Sequence, residues 1–194
     1  MKNLLASAAL AAAILTPAVA KAQAVPAAVV AVVDLEKVTT DCNACKTARA
    51  SLQSQVTAYQ AREKALAGPL QTEQTSIQTA IDALKGKQPD ATLEARMKAF
   101  EAKRQSAAEQ VAAQQQQLQR NSAYVSQQVQ AKLNPIYQQV MQRRGANLLL
   151  ETGNTLATSA SVDVTNDIIA ALNAALPSLV TTAPAQAQQQ PQGR

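Results

Sequence analysis

Two stretches of four-three apolar spacing, separated by a short run of helix breakers, constrain this chain more than any other feature. The first stretch runs through Leu52, Val56, Tyr59, Glu63, Leu66, Leu70, Glu73, Ile77, Ala80 and Leu84. The second runs through Leu93, Met97, Phe100, Arg104, Ala107, Val111, Gln114, Leu118, Asn121, Val125, Val129, Leu133, Ile136 and Val140. Such spacing keeps one stripe of a helix turned toward a partner. Between the two stretches, Gly86-Lys87-Gln88-Pro89-Asp90 supplies a stop and a turn, with Asp90 or Thr92 available to cap the second helix. Helices of about 50 residues at about 1.5 Å per residue reach roughly 75 Å, and a tight turn between them predicts an antiparallel coiled-coil arm over residues 37–144. Gly68-Pro69 predicts a kink in the first helix, and Pro135 a bend near the base of the second. Several stripe positions are Gln, Asn, Arg or Ala and pack weakly, so the arm is expected to flex.

A chain whose residues are 47% hydrophobic but only 2% aromatic owes much of its apolar count to alanine, which favours helix and fills little core. A monomer of this kind has little to bury, so self-association belongs to the fold prediction. The material for a body lies at the two ends of the arm. Val29-Val30-Ala31-Val32-Val33 reads as a buried strand, followed by Asp34 as N-cap and Glu36 in the first turn of a long helix starting near Leu35. After Gly145, Asn147-Leu148-Leu149-Leu150-Glu151 reads as a second strand, Gly153-Asn154 as a turn and Thr155-Leu156-Ala157-Thr158 as a third strand. A short helix follows, with Thr165 as N-cap and Asp167 in its first turn; it is expected to bury Ile168, Ile169, Leu172 and Leu176 and to end at Pro177. The Pro-, Ala- and Gln-rich residues 178–194 have no apolar period and are expected to be a disordered tail. At the other end, Lys2, the apolar run Leu4 to Leu15 and the small residues after Pro17 read as a Sec signal peptide over residues 1–22; of two A-x-A sites, Ala18-Val19-Ala20 and Ala20-Lys21-Ala22, the second is favoured and leaves Gln23 first. That run falls short of the roughly 20 residues a membrane span needs, so the mature chain is expected to be exported.

Enzyme readings lack parts. The chain has no His, which removes His-based triads and most zinc hydrolase sites, and it carries no Gly-rich phosphate loop or dinucleotide fingerprint. No catalytic residue, metal ligand set or cofactor is predicted. Cys42-Asn43-Ala44-Cys45 is the exception to weigh, because a C-x-x-C near a helix N-terminus lowers a thiol pKa in disulfide oxidoreductases. Such enzymes place a βαβ sheet ahead of that helix, whereas here one strand precedes a coiled coil, and a second C-x-x-C for zinc is missing. In an oxidising compartment Cys42 and Cys45 are expected to form a local disulfide; free or intermolecular thiols and a redox or metal role are the alternatives. From Lys46 to Arg144 fourteen Lys and Arg face seven Asp and Glu, a field that attracts acidic clients or anionic lipid surfaces and weakens with salt. Lys85, Lys87, Arg96 and Lys98 gather toward the tip, with Phe100 and Arg104 next along the stripe. Specific nucleic-acid binding is not expected, since there is no zinc finger and almost no aromatic residue for stacking.

Taken in order, the leader, the Val-rich strand ending in Asp34-Leu35, the Ala/Gln/Lys hairpin, Asn147-Leu148-Leu149-Leu150-Glu151 and Asp163-Val164-Thr165-Asn166-Asp167-Ile168-Ile169 resemble the Skp/OmpH family from about Val29 to Leu176. Asn134-Pro135-Ile136 is similar to that family as well. The resemblance implies a mostly α fold with a small β body: a jellyfish-like homotrimer whose helical arms project from a β-rich centre. Residues 23–36 and 145–177 would form this trimer body through Val30, Val32, Leu148, Leu150, Ile168, Ile169 and Leu172. It also implies a periplasmic, ATP-independent holdase for unfolded outer-membrane proteins, contacting clients diffusely through Lys85, Lys87, Arg96, Lys98, Phe100 and Arg104. A lipopolysaccharide surface is a further partner the family suggests, though no group of residues here matches a specific motif for it. The C-x-x-C, Gly68-Pro69 and the Gln/Pro/Ala tail depart from the family pattern. The competing reading is a periplasmic coiled-coil adaptor without chaperone activity.

Overall fold

The computed structural model describes residues 25–184; the expected signal peptide and its cleavage site lie outside the described residues. The chain begins with strand β1 (Val30–Val33), and Asp34 then caps helix α1 (Leu35–Asp41), its carboxylate accepting the Lys37 N–H at 2.7 Å with Glu36 in the first turn. The expected single long helix stops there. Cys42 takes an extended backbone (φ −58°, ψ 126°), ending α1 and capping α2 (Asn43–Ala83), with its sulfur accepting the Cys45 N–H at 3.2 Å. The arm therefore starts at residue 43 rather than 37, and α1 packs into the body, where Val38 is fully buried.

Helix α2 stays helical through Gly68-Pro69, as α3 (Ala91–Arg144) does through Pro135. At the tip, Gly86 takes φ +85°, which glycine adopts without penalty, and Lys85 takes φ +48°. Asp90 is the cap used for α3, accepting the Leu93 N–H at 2.8 Å. At about 1.5 Å per residue the two helices extend roughly 60 and 80 Å. Cross-arm contacts fix their antiparallel register: Asn121 donates to Gln55 at 2.7 Å, Arg62 to Gln110 at 2.8 Å, and Lys103 pairs with Glu73 at 2.9 Å. The predicted stripes hold along both helices, with Ile77, Ala107, Asn121 and Val129 buried, whereas Glu63, Met97 and Arg104 face solvent.

Strand β2 (Leu148–Glu151) lies parallel to β1, pairing Val30 with Leu148 and Val32 with Leu150. Parallel strands need a long crossover. Here the crossover is the whole hairpin arm, so the arm is rooted in the sheet at both ends. The predicted third strand at 155–158 does not form. Thr152–Asn154 makes a 3-10 turn, Leu156 is fully exposed, and β1's second edge is taken by a later segment: Val32 donates to Val162 O and Val164 donates to Val32 O, both at 2.9 Å. Once that edge is filled, residues 155–158 find no strand partner among the described residues.

Helix α4 (Thr165–Ala175) closes the body, with Ile168, Leu172 and Leu176 buried and Ile169 partly so. Thr165 is its first residue rather than its cap. Its hydroxyl accepts the Asp34 N–H at 2.9 Å and so locks the start of α4 to the end of β1, while Asp163 accepts the Thr165 N–H at 2.8 Å. The core gathers Ala31 and Val33 of β1, Val38 of α1, the root of α3 from Val129 to Val140, and α4. Arg144 in the last turn of α3 meets Asp167 in the first turn of α4 at 2.7 Å, each charge also complementing its helix dipole. The tail is a further correction: residues 178–184 lie along the arm, held by side chains of both its helices. Residues 185–194 lie outside the described residues.

Candidate client-binding arm and body face

The sheet of the body has two unlike faces. Ala31, Val33 and Leu149 turn into the core, as strand alternation requires. Their neighbours point the other way. There Val32 is buried, but Val30, Leu148 and Leu150 remain 36%, 41% and 38% exposed. Three aliphatic side chains side by side on a two-stranded sheet form an apolar patch with no cover in the single chain. Of the residues predicted for the body, Ile168 and Leu172 lie instead in the chain's own core, with no accessible surface, and Ile169 packs against it.

At the arm root Cys42 and Cys45 are joined by a disulfide, their Cα atoms 5.1 Å apart, and both are buried. The break they span is also held from outside, because Asn173 of α4 accepts the Asn43 N–H, the first N–H of α2, at 2.8 Å. Sequence reasoning missed this tie: the Asp-Cys-Asn run is a turn signal, but Asn173 lies 130 residues away. Beside the disulfide a groove of about 410 Å³ opens between α2 and α3, lined chiefly by Leu35, Leu52, Val125, Val129, Leu133 and Tyr137. Burial, with the Glu151 carboxylate adding to it, pushes the Tyr137 phenol above its ordinary pKa. Farther out, around Pro69, small residues on α3 (Ala102, Ser106, Ala107) leave a second groove of about 480 Å³.

The six residues predicted to meet clients all lie toward the distal end of the arm, but they do not form a pocket. Lys85 and Lys87 stand exposed in the turn, Lys98 is exposed on the first turns of α3, and Arg96 and Phe100 are half-buried against α2. Arg104 is exposed and already engaged, donating to both carboxylate oxygens of Glu101 at 2.6 and 3.0 Å. That bond holds the Glu101 carboxyl below its usual range and raises Arg104. The distal surface is therefore a spread of cations around partly apolar stripes rather than one pocket. Among the described residues no cluster of acidic or cysteine side chains could hold a metal, and no helix is long and apolar enough to cross a membrane.

A family described as outer membrane protein (OmpH-like) matches residues 29–172, from the first residues of the body through nearly all of α4. The chain belongs to the OmpH-like family. A crystal structure from Caulobacter crescentus CB15, described as a candidate OmpH-like outer membrane chaperone, matches this OmpH-like chain with a TM-score of 0.69 at 20% identity, over 86% of this chain and 96% of that one. At that identity the likeness is one of fold. No curated protein gives a significant sequence match.

Proposed function

We propose that this OmpH-like chain is an ATP-independent holding chaperone of the periplasm, acting as a homotrimer whose arms enclose unfolded outer-membrane β-barrel proteins and prevent their aggregation. The observation that carries this reading is the pairing of family membership with a long basic arm rooted at both ends in a body that leaves an apolar face uncovered. Among the described residues the sheet has two strands, and its outer face leaves Val30, Leu148 and Leu150 uncovered. Such a face is satisfied when copies of the chain meet around a closed symmetry axis. Arms then stand together on one body, and their thinly packed stripes and scattered cations offer a client many weak contacts without reading its sequence. The surplus of positive charge along the arm speeds encounter with acidic clients at low salt, and an anionic lipid or lipopolysaccharide surface would meet the same field. Nothing in this scheme calls for a nucleotide or a catalytic group.

The test is light scattering of a urea-denatured outer-membrane barrel diluted with and without the mature protein, alongside a solution mass. Suppression near one trimer per client, without ATP, is expected. A trimer that leaves aggregation unchanged would reject the chaperone reading in favour of an envelope adaptor.

A further inference from the structure

The segment after α4 makes an unusual set of contacts with the arm. Gln128 on α3 exchanges two hydrogen bonds with one residue, donating to Val180 O at 2.8 Å and accepting the Val180 N–H at 3.1 Å. This is the pattern by which a neighbouring strand would grip it. Farther along the arm, Asn121 accepts the Ala183 N–H at 2.8 Å and Gln117 donates to Ala183 O at 3.3 Å, while Gln55 of α2 donates to Thr181 O at 3.2 Å. These amides are also bonded to one another: the nearly buried Asn121 donates to Gln55 and accepts from Gln117, each at 2.7 Å. Each bond from these amides to the segment ends on its backbone. The side-chain contacts are Leu179, packed against the core of the body, and Thr181 with Ser51, hydroxyl to hydroxyl at 2.9 Å. The Val180 side chain points outward, 56% exposed.

Burial along the segment alternates residue by residue: Leu179, Thr181 and Ala183 are turned partly inward, and Val180, Thr182 and Pro184 outward. That is the two-residue period of an extended strand. It is also the period of every strand of a membrane barrel, apolar on alternate positions.

From these observations we infer that the row of amides Gln55, Gln117, Asn121 and Gln128 is a binding site for extended polypeptide, and that residues 178–184 occupy it as a built-in competitor for client segments. The inference rests on the chaperone reading and deepens it by naming what one surface of the arm recognises. Recognition through backbone groups accepts any sequence that can extend. The tethered segment is held at high effective concentration, so it keeps the site covered until a longer client, with contacts elsewhere on the arm, displaces it.

The experiment uses the full mature chain and a fluorescein-labelled peptide with the sequence of residues 178–184, a second peptide with those residues shuffled so that the inward positions stay small or apolar, and a third N-methylated at the amides equivalent to Val180 and Ala183. Val180→Pro/Ala183→Pro removes both N–H groups that the segment donates, at positions outside every helix and strand. This variant should bind the first two peptides alike and at least tenfold more tightly than the unaltered chain, and should fail to bind the methylated one. Adding Gln128→Leu should abolish the gain. Equal affinity of the variant and the unaltered chain, or equal binding of the methylated peptide, would overturn the inference. In the unaltered chain, hydrogen exchange at Val180 and Ala183 should be slow alone and fast when an unfolded barrel is bound. A chain that suppresses barrel aggregation while both amides stay protected would refute the displacement and leave the chaperone reading standing.

Discussion

Leu148→Asp puts the proposed assembly at risk in a single residue. The side chain is 41% exposed in the isolated chain, beside Val30 and Leu150, with Val30 directly paired to it across the sheet. Burying the exposed two-fifths of an aliphatic side chain stabilises by about 1 kcal/mol. Three such side chains on each of three protomers therefore contribute on the order of 9 kcal/mol to a trimer. An Asp carboxylate at position 148 removes about a third of that and adds an uncompensated charge to a closing apolar interface, at several kcal/mol per copy. Symmetry repeats the penalty three times, for a total on the order of 10 kcal/mol or more against assembly. Because the substituted side chain remains solvated in the single chain, the helices themselves need not melt. Sedimentation equilibrium at micromolar concentration should show a trimer for the unaltered protein and mainly smaller species for Leu148→Asp. Met97→Asp is the control: it introduces the same charge at a similarly exposed position, 39%, but on the arm, and should leave the mass unchanged. A Leu148→Asp protein that remains a trimer would show that this face is not where the copies meet.

Other substitutions test the remaining joints. Thr165→Val keeps the shape but leaves the Asp34 N–H without its acceptor, and should cost about 1–3 kcal/mol in urea unfolding at fixed protein concentration; Thr165→Ser should recover most of it, and a cost-free Val would remove this bond from the account of the body. Leu172→Ala empties a site with no accessible surface and should cost about 2–5 kcal/mol by the same assay, a loss below 1 kcal/mol meaning that α4 packs only loosely. Cys42→Ser/Cys45→Ser should still suppress barrel aggregation, with stability lowered by about 2 kcal/mol because the closed loop is short; insulin-reductase activity in the unaltered protein, lost in this variant, would instead reveal a redox enzyme. Changing Lys85, Lys87, Arg96 and Lys98 together to Gln should slow client capture in stopped-flow at low salt and have little effect at high salt, and unchanged capture at both would reduce the tip charges to a solvated surface.

The hairpin was legible because its signal is local. A stripe that recurs every three to four residues, the Gly86 to Asp90 turn and the Asp90 cap each lie within a few residues of what they determine, and the same is true of β1 and the Asp34 cap. Expectations went astray where a distant partner decided the outcome. The helix begun at Leu35 ends at Cys42 because Asn173 waits to hold the new N-terminus of α2. Thr165 gives up capping because the Asp34 N–H, 131 residues away, takes its hydroxyl. The third strand fails because β1's open edge is filled by Val162 and Val164. A two-residue alternation or a cap preference cannot report which of several competing partners arrives.

The tail shows a subtler reason. Of residues 178–184 only Leu179 packs against the hydrophobic core, so composition, which finds no apolar period there, gives little reason to expect order. Besides the packing of Leu179, what orders them is a set of amide side chains: Asn121 on the seam itself, and Gln55, Gln117 and Gln128 beside it. Asn121 interrupts the apolar stripe between Leu118 and Val125, and by spacing alone it counts as a weak link in the packing. In the folded chain it is almost wholly buried, donating to Gln55 and accepting from Gln117 and the Ala183 N–H. A buried amide in an otherwise apolar seam lowers stability but fixes register; here it also turns two donors and an acceptor to use at a place where a backbone can lie. The polar interruption of the stripe and the thinness of its packing therefore go together: the seam packs only moderately, and its amides engage an extended backbone, that of residues 178–184.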